Sequence, residues 1–311
     1  MIIWRDVPGA ATEPRDEPAV VTIGNFDGVH RGHQHLLDVA RDLGGPVVAV
    51  TFDPHPTAVF APDQAPKLLT TFARRIELLQ QNGADEVRAL AFDREMAAWP
   101  PEEFVRTVLV GELHAKAVVV GENFRYGSRA SGDVDLLKAD LGEFGCLVTG
   151  VDLGEAGGVE GESYSSTLVR EFVASGRVAE AAVVLGRPHE VSGVVRRGDG
   201  RGKDLGFPTA NVPVDEQYAV PSDGVYAGRL VVDGQGHDAA ISVGTNPTFA
   251  GTERRVESFL IDVTGGFDLY DRAVRVEFVE RLRGMEAFDT IEALVAQMHD
   301  DVAEARGILA R

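Results

Sequence analysis

The feature that most constrains this chain is a change of hydrophobic period beyond its midpoint. Up to about residue 186, short apolar runs at 19–23, 47–52, 87–92, 115–120 and 146–151 recur with helical segments between most of them. Near-continuous apolar strands that alternate with helices belong to a parallel sheet covered on both faces. A doubly wound α/β domain is therefore predicted. In its first helix, Leu36, Leu37, Val39, Ala40 and Leu43 form one stripe, and the helix start is placed near His33. After Gly186 the period becomes two, with Val274, Val276 and Phe278 set against Arg275 and Glu277. Further runs at 190–195, 225–232, 239–243 and 256–261, separated by Gly, Asp and Pro, predict an antiparallel sheet or small barrel. A helix over 289–309 closes the chain, with Asp289 or Thr290 as its N-cap. The expected domains are 1–186 and 187–311, and 311 residues suffice for two cores.

Charge narrows the partners. The 30 Lys and Arg against 49 Asp and Glu leave −19, a field that repels polyanions and anionic surfaces, so no nucleic acid and no membrane are expected. An anionic small substrate then needs a local site of N–H groups or basic side chains, acting within about 8 Å. The 35 glycines, above the usual share of about 7%, suggest tight loops and close backbone approaches. A lone Cys146 allows no internal disulfide and is read as a buried thiol. With no signal-peptide core in residues 1–18 and no spanning run, a cytoplasmic protein is expected.

Three segments at strand ends or helix starts, two of them glycine-bearing loops, carry the chemistry of the first domain. G-N-F-D-G-V-H-R-G-H (24–33) follows the first strand and runs into a helix, which sets free backbone N–H groups and two imidazoles, His30 and His33, at the carboxyl end of a parallel sheet. Alone, an H-x-x-H pair fits surface histidines as well as phosphate ligands, and zinc lacks further ligands. V-G-E-N-F-R-Y-G (120–127) repeats the strand-to-loop arrangement, and S-S-T-L-V-R (165–170) opens another helix, where hydroxyls fit caps and Arg170 fits a phosphate. The three are expected to converge on one cleft.

Taken together, the H-x-G-H core, S-S-T-x-x-R, T-F-D-P-H-P (51–56) and the 121–127 loop resemble the FMN adenylyltransferase module of bacterial bifunctional riboflavin kinase/FAD synthetases, within the nucleotidyltransferase superfamily. The resemblance implies that His30 and His33 stabilise the triphosphate in the transition state and that Arg170 shares this catalytic site. It also implies an ATP- and phosphate-binding set of Gly24, Phe26, Asp27, Gly28, Asn123, Ser165, Ser166 and Thr167. The family usually has Phe where this chain has Tyr126, which is assigned to flavin contacts.

In the second domain, R-R-G-D-G-R-G-K-D-L-G-F-P-T-A-N (196–211) fails the Walker A pattern, because Arg197 and Asp204 stand at its required Gly and hydroxyl positions. It also fails the dinucleotide fingerprint, since a strand follows rather than a helix. What remains is a basic loop able to fold over phosphates or to be a solvated turn, with Thr209 and Asn211 offering oxygens suited to Mg²⁺. Glu257 shares a strand face with Phe259 and Ile261, which suits either a general base beside apolar groups or a solvated charge. With D-G-V-Y-A, G-T-N-P-T-F, V-E-S-F and D-L-Y, this half resembles the riboflavin kinase domain.

That resemblance implies a six-stranded antiparallel barrel with a terminal helix, Thr209 and Asn211 on Mg-ATP, and Glu257 as the base for the ribityl 5′-hydroxyl. It places the phosphates on Gly198, Gly200, Arg201, Gly202, Lys203, Gly206 and Pro208, and the flavin near Arg281 and Arg283. The implied enzyme makes FMN and then FAD, with riboflavin, FMN and ATP as its small-molecule partners and Mg²⁺ as cofactor. A chain with one active module, or a flavin-sensing binder, stands as the alternative. Nothing in the sequence specifies an oligomer interface.

Overall fold

The computed structural model describes residues 2–5, 15–159, 161–197, 207–248, 251–263 and 268–311. These form two compact units, Met1–Pro66 with Phe72–Ser165 and Lys67–Thr71 with Ser166–Arg311.

The first unit contains β1 (Ile2–Arg5), β2 (Ala19–Ile23), α1 (Arg31–Asp42), β3 (Val47–Asp53), α2 (Pro56–Phe60), α3 (Phe72–Gln81) and β4 (Glu86–Ala91). α4 (Pro101–Phe104) then widens into a π-helical stretch over Val105–Glu112, and β5 (Ala115–Gly121), α5 (Val134–Gly142), β6 (Leu147–Val151) and the small ribbon β7 (Gly158–Val159) and β8 (Glu162–Ser163) follow. The sheet order is β1-β4-β3-β2-β5-β6, and every neighbouring pair is parallel. Val21, Ile23, Val48 and Val118 bury one face against Leu109 and Leu137, while Val20, Ala49, Val87 and Val119 bury the other against Leu37 and Leu79. Two buried faces are why the strands read as unbroken apolar runs. β1 was not foreseen, being four residues that end on Arg5 and run into Asp6. α1 begins at Arg31 rather than His33, so His33 lies inside its first turn.

The second unit contains α6 (Ser166–Ala174), α7 (Val178–Leu185), β9 (His189–Val194), β10 (Thr209–Pro213), β11 (Gly224–Val232), β12 (Gln235–Thr248), β13 (Gly251–Leu260), β14 (Ala273–Arg283) and α8 (Ile291–Leu309). Its strands are antiparallel in the order β10-β13-β12-β11-β14-β9. The sheet curls until Arg196 N donates to Asn211 O at 2.8 Å, a single bridge that joins its two edges. Gly193 permits this closure, because a Cβ there would stand 2.5 Å from Val212 Cγ1.

Tyr226, Leu230, Ile241, Val256, Val276 and Phe278 fill the interior. Ala305 and Leu309 of α8 cover Ala227, Phe259 and Ile261 on the outer face. Thr290 caps α8, its side chain accepting from Ala293 N at 3.1 Å. The compact units divide at Ser165, upstream of the expected 186/187. α6 and α7 join the second unit because Val178 enters its core. Residues 67–71 join it too, with Leu68 N on Gln217 O and Ala219 N on Leu68 O, each at 2.8 Å.

Candidate active sites

In the first unit the chain winds outward from β2 through β3 to β4, then restarts on the other side of β2 with β5. Ligands of such sheets bind beyond the carboxyl ends of the strands at this reversal. The loops after β2 and β5 occupy that place. After Ile23, Gly24 N bonds Val50 O at 3.1 Å, and the chain then makes a buried turn in which Phe26 (φ +49°), Gly28 (φ +82°) and Val29 (φ +43°) all have positive φ. Such a conformation costs a non-glycine residue on the order of 1–3 kcal/mol. The turn sets His30 at the N-cap of α1 without a side-chain cap, leaving the positive helix end open to an anion.

His30, 3% exposed, stacks on His33 with ring centroids 3.6 Å apart, and Phe26 meets His33 edge-on at 5.1 Å. Gly32 is needed between the histidines, since a Cβ would stand 3.1 Å from the His30 ring and 3.3 Å from Tyr164 O. Burial, then His30 and Arg75, hold the His33 imidazole well below its usual pKa. At neutral pH the ring is uncharged and keeps one N–H to donate to a phosphate oxygen.

Gly24 and Asn25 line one side of a cavity of about 820 Å³, and Asn123 and Tyr126 from the β5 loop line another. Its walls are aromatic: Phe92 meets Phe52 and Phe60 edge-on, each at 5.5 Å, and Phe124 stacks on Tyr126 at 5.6 Å. Tyr126 is buried, and desolvation, then Asp140 and Asp133, push its phenol pKa up. In a chain of charge −19, the lining includes Arg94, Arg125 and Arg129 and, among the described residues, no Asp or Glu. A planar anion suits this space. Two of the three loops expected at one cleft thus share it. Of the third, Ser165 ends the first unit, while Ser166 and Thr167 start α6 in the second, where Arg170 Nε donates to Lys67 O at 2.7 Å.

The sequence reading missed Arg75 and most of the cavity wall. Arg75 is 2% exposed and donates to Thr51 Oγ1 at 3.4 Å and to Phe52 O at 3.1 Å. Its signal was available: Phe72, Arg75, Ile76 and Leu79 share one stripe of α3, so a charge falls on an apolar face.

In the second unit, Asn211 faces Glu257 across β10 and β13, and Ser242 faces Glu257 across β12 and β13. Directly opposed residues share a sheet face. Thr209, Asn211, Ser242, Glu257 and Phe259 therefore line the outer face, while Ala210, Val212, Ile241 and Val256 point into the core. Asn211, 8% exposed, donates from Nδ2 to Thr209 O at 3.4 Å. Phe207, next to exposed Pro208, touches Phe259 and His299 of α8, each at 5.0 Å.

Gly198, Gly200, Arg201, Gly202, Lys203 and Gly206 lie outside the described residues. Arg281 donates to Asp223 O at 2.9 Å, and Arg283 makes a two-bond pair with the buried Asp301 at 2.8 and 2.7 Å. That pair raises the Arg283 pKa. Both arginines thus also hold backbone or helix in place. Among the described residues no three His, Cys, Asp or Glu side chains cluster to hold a metal, and no helix is long and apolar enough to cross a membrane.

Residues 12–168 match the FAD synthetase family and residues 185–309 the riboflavin kinase family. The bifunctional riboflavin kinase/FMN adenylyltransferase of Escherichia coli strain K12 is 38% identical over 311 residues, covering 98% of this chain and 97% of that protein. The Bacillus subtilis protein of the same description is 33% identical over 296 residues, covering 92% and 91%. A Streptococcus pneumoniae crystal structure described as a macrolide-efflux protein superposes with a TM-score of 0.87 at 30% identity, over 98% of this chain and 99% of that one. The efflux description is that protein's alone.

Proposed function

The chain belongs to the bifunctional riboflavin kinase/FMN adenylyltransferase family, and from that premise we propose how its residues divide the work. The enzyme phosphorylates riboflavin to FMN with ATP and adenylylates FMN to FAD with release of pyrophosphate. The functional division lies at 186/187, with adenylyl transfer before it and the kinase after it. The compartment is the cytoplasm.

In adenylyl transfer an FMN phosphate oxygen attacks the α-phosphorus of ATP and pyrophosphate leaves. Charge gathers on the oxygens of the leaving group, and His30 and His33 donate to them beside the N-terminus of α1; Arg170 is assigned to the same reaction by the family motif. Gly24, Phe26, Asp27 and Gly28 shape the turn that places these groups, and Asn123, Ser165, Ser166 and Thr167 complete the nucleotide contacts. The aromatic cavity at Tyr126 takes the isoalloxazine. The observation that carries this reading is the stacked imidazole pair at the sheet reversal, next to a cavity lined, among the described residues, by arginines and no carboxylate. Such reactions ask for positioning and charge neutralisation, and one lost donor costs about 10²–10³ in rate.

In the kinase, Glu257 takes the proton of the riboflavin 5′-hydroxyl as that oxygen attacks the γ-phosphorus and ADP leaves. A positioned base contributes about 10²–10⁴. The donor set fits Mg²⁺: Asn211 turns its Nδ2 to Thr209 O, which leaves Oδ1 and the Thr209 hydroxyl as neutral oxygens for a cation that keeps most of its waters. The ion when bound neutralises phosphate charge. Gly198, Gly200, Arg201, Gly202, Lys203, Gly206 and Pro208 cover the phosphates, and Arg281 and Arg283 border the flavin.

The test replaces Glu257 and His30 by Ala separately and follows both products from riboflavin, FMN and MgATP. Glu257→Ala should abolish FMN formation alone, and His30→Ala FAD formation alone. Loss of both activities in either folded variant would show the division to be wrong.

A further inference from the structure

Arg75 brings a charge into the interior of the first unit, and neither reaction as described uses it. Its Nη1 donates to the Thr51 hydroxyl and the Phe52 carbonyl, and the fully buried Thr51 Oγ1 donates onward to Asn25 O at 3.1 Å. A charged donor at the head of such a relay strengthens and orients the bonds beyond it. Asn25 is the pivot of the loop after β2. On one side Gly24 lines the cavity, and on the other Phe26 is the first of three positive-φ residues, the last of which, Val29, precedes His30. Residues in sparsely populated backbone regions persist only where their surroundings over-determine them. The chain from Arg75 through Thr51 supplies that determination from outside the loop.

We propose that Arg75 is a positioning residue for adenylyl transfer, acting through Thr51 on the Asn25 carbonyl to fix the loop that presents His30 and His33. The proposal rests on the assignment of those histidines to that reaction. Arg75 is also one of the charges that lower the His33 pKa, so the same side chain favours the uncharged ring.

Arg75→Met, Arg75→Lys, Thr51→Val, the Arg75→Met/Thr51→Val double variant and His30→Ala are made in the full chain, and both reactions are assayed at saturating substrate. A misplacement of about 1 Å costs about 10²-fold, so Arg75→Met should lower the FAD-forming kcat by about 10–100-fold. The KM for FMN and the FMN-forming kcat should change less than about twofold. Arg75→Lys, which keeps the charge and one contact, should recover part of the rate. Thr51→Val, close in shape, should cost about 3–10-fold, and the double variant no more than Arg75→Met, because both act through one carbonyl.

Full FAD formation in Thr51→Val, or multiplicative losses in the double variant, would overturn the proposal. If Arg75→Met fails to fold, Thr51→Val decides alone. Full FAD formation in His30→Ala would instead overturn the histidine assignment, so the two failures are distinguishable.

Discussion

Gly32→Ala separates stability from catalysis in a way the geometry makes quantitative. Gly32 sits in the first turn of α1, where Ala should stabilise the helix by roughly 0.5–1 kcal/mol. The new Cβ would stand 3.1 Å from His30 Cε1 and Nδ1 and 3.3 Å from Tyr164 O. Comfortable carbon contacts begin near about 3.5 Å, so something must give by about 0.3–0.4 Å. Tyr164 O is backbone, and the His30 ring, buried and stacked on His33, is what moves.

If about 1 Å costs about 10²-fold, a shift of this size costs about 4–6-fold in FAD-forming kcat/KM. Helix gain and contact strain nearly offset, so the melting midpoint should stay within about 2 °C. The assay is chromatographic separation of FAD and FMN, from FMN with MgATP in one reaction and riboflavin with MgATP in the other. FMN formation should be unchanged. FAD formation within about 1.5-fold of the parent, or equal losses in both reactions, would refute the argument that Gly32 is there to seat His30.

Two further outcomes follow from the electrostatics. His33 titrates lower in the folded chain than in the unfolded one, where its pKa is about 6.5, so the unfolded state binds the extra proton as pH falls below that value. Denaturant melts should lose up to about 1.4 kcal/mol per pH unit from this residue between about pH 6.5 and its folded pKa, and His33→Asn should be flatter there; identical slopes would contradict it. Asp301→Asn leaves Arg283 without its charged partner, in a pair whose side chains are 7% and 17% exposed. It should destabilise the second unit by about 2–4 kcal/mol, and a change below about 0.5 kcal/mol in urea melts would mean that the pair is effectively solvated.

Local periodicity made much of this architecture legible. β2 was expected and found at 19–23, because a strand buried on both faces reads as a nearly unbroken apolar run, here interrupted only by Thr22. That Glu257 shares a strand face with Phe259 followed from period two, whereas that this is the outer face came only from the register and the core. Arg75 stayed hidden because a charge on a helix counts as polar whichever way it points, and only the stripe it interrupts betrays it. The cavity wall was equally closed to sequence reasoning: Phe52, Phe60, Phe92 and Phe124 come from separate segments, and no repeat encodes their convergence. Residues 67–71 show the same limit, since their partners at 217–219 are set by tertiary pairing with no trace in the local pattern.

The opposed phases of Glu257 and Ser258 on β13 carry a consequence for how this chain can vary. Glu257 points outward opposite Asn211, while Ser258 is fully buried opposite Ala210 and Ile241. A one-residue slip of pairing would exchange them, driving a carboxylate into the barrel and turning a hydroxyl onto the outer face. Length changes within β13 ahead of Glu257 therefore obey a parity rule. Descendants should gain or lose residues there in twos, or compensate a single insertion with a bulge before Val256.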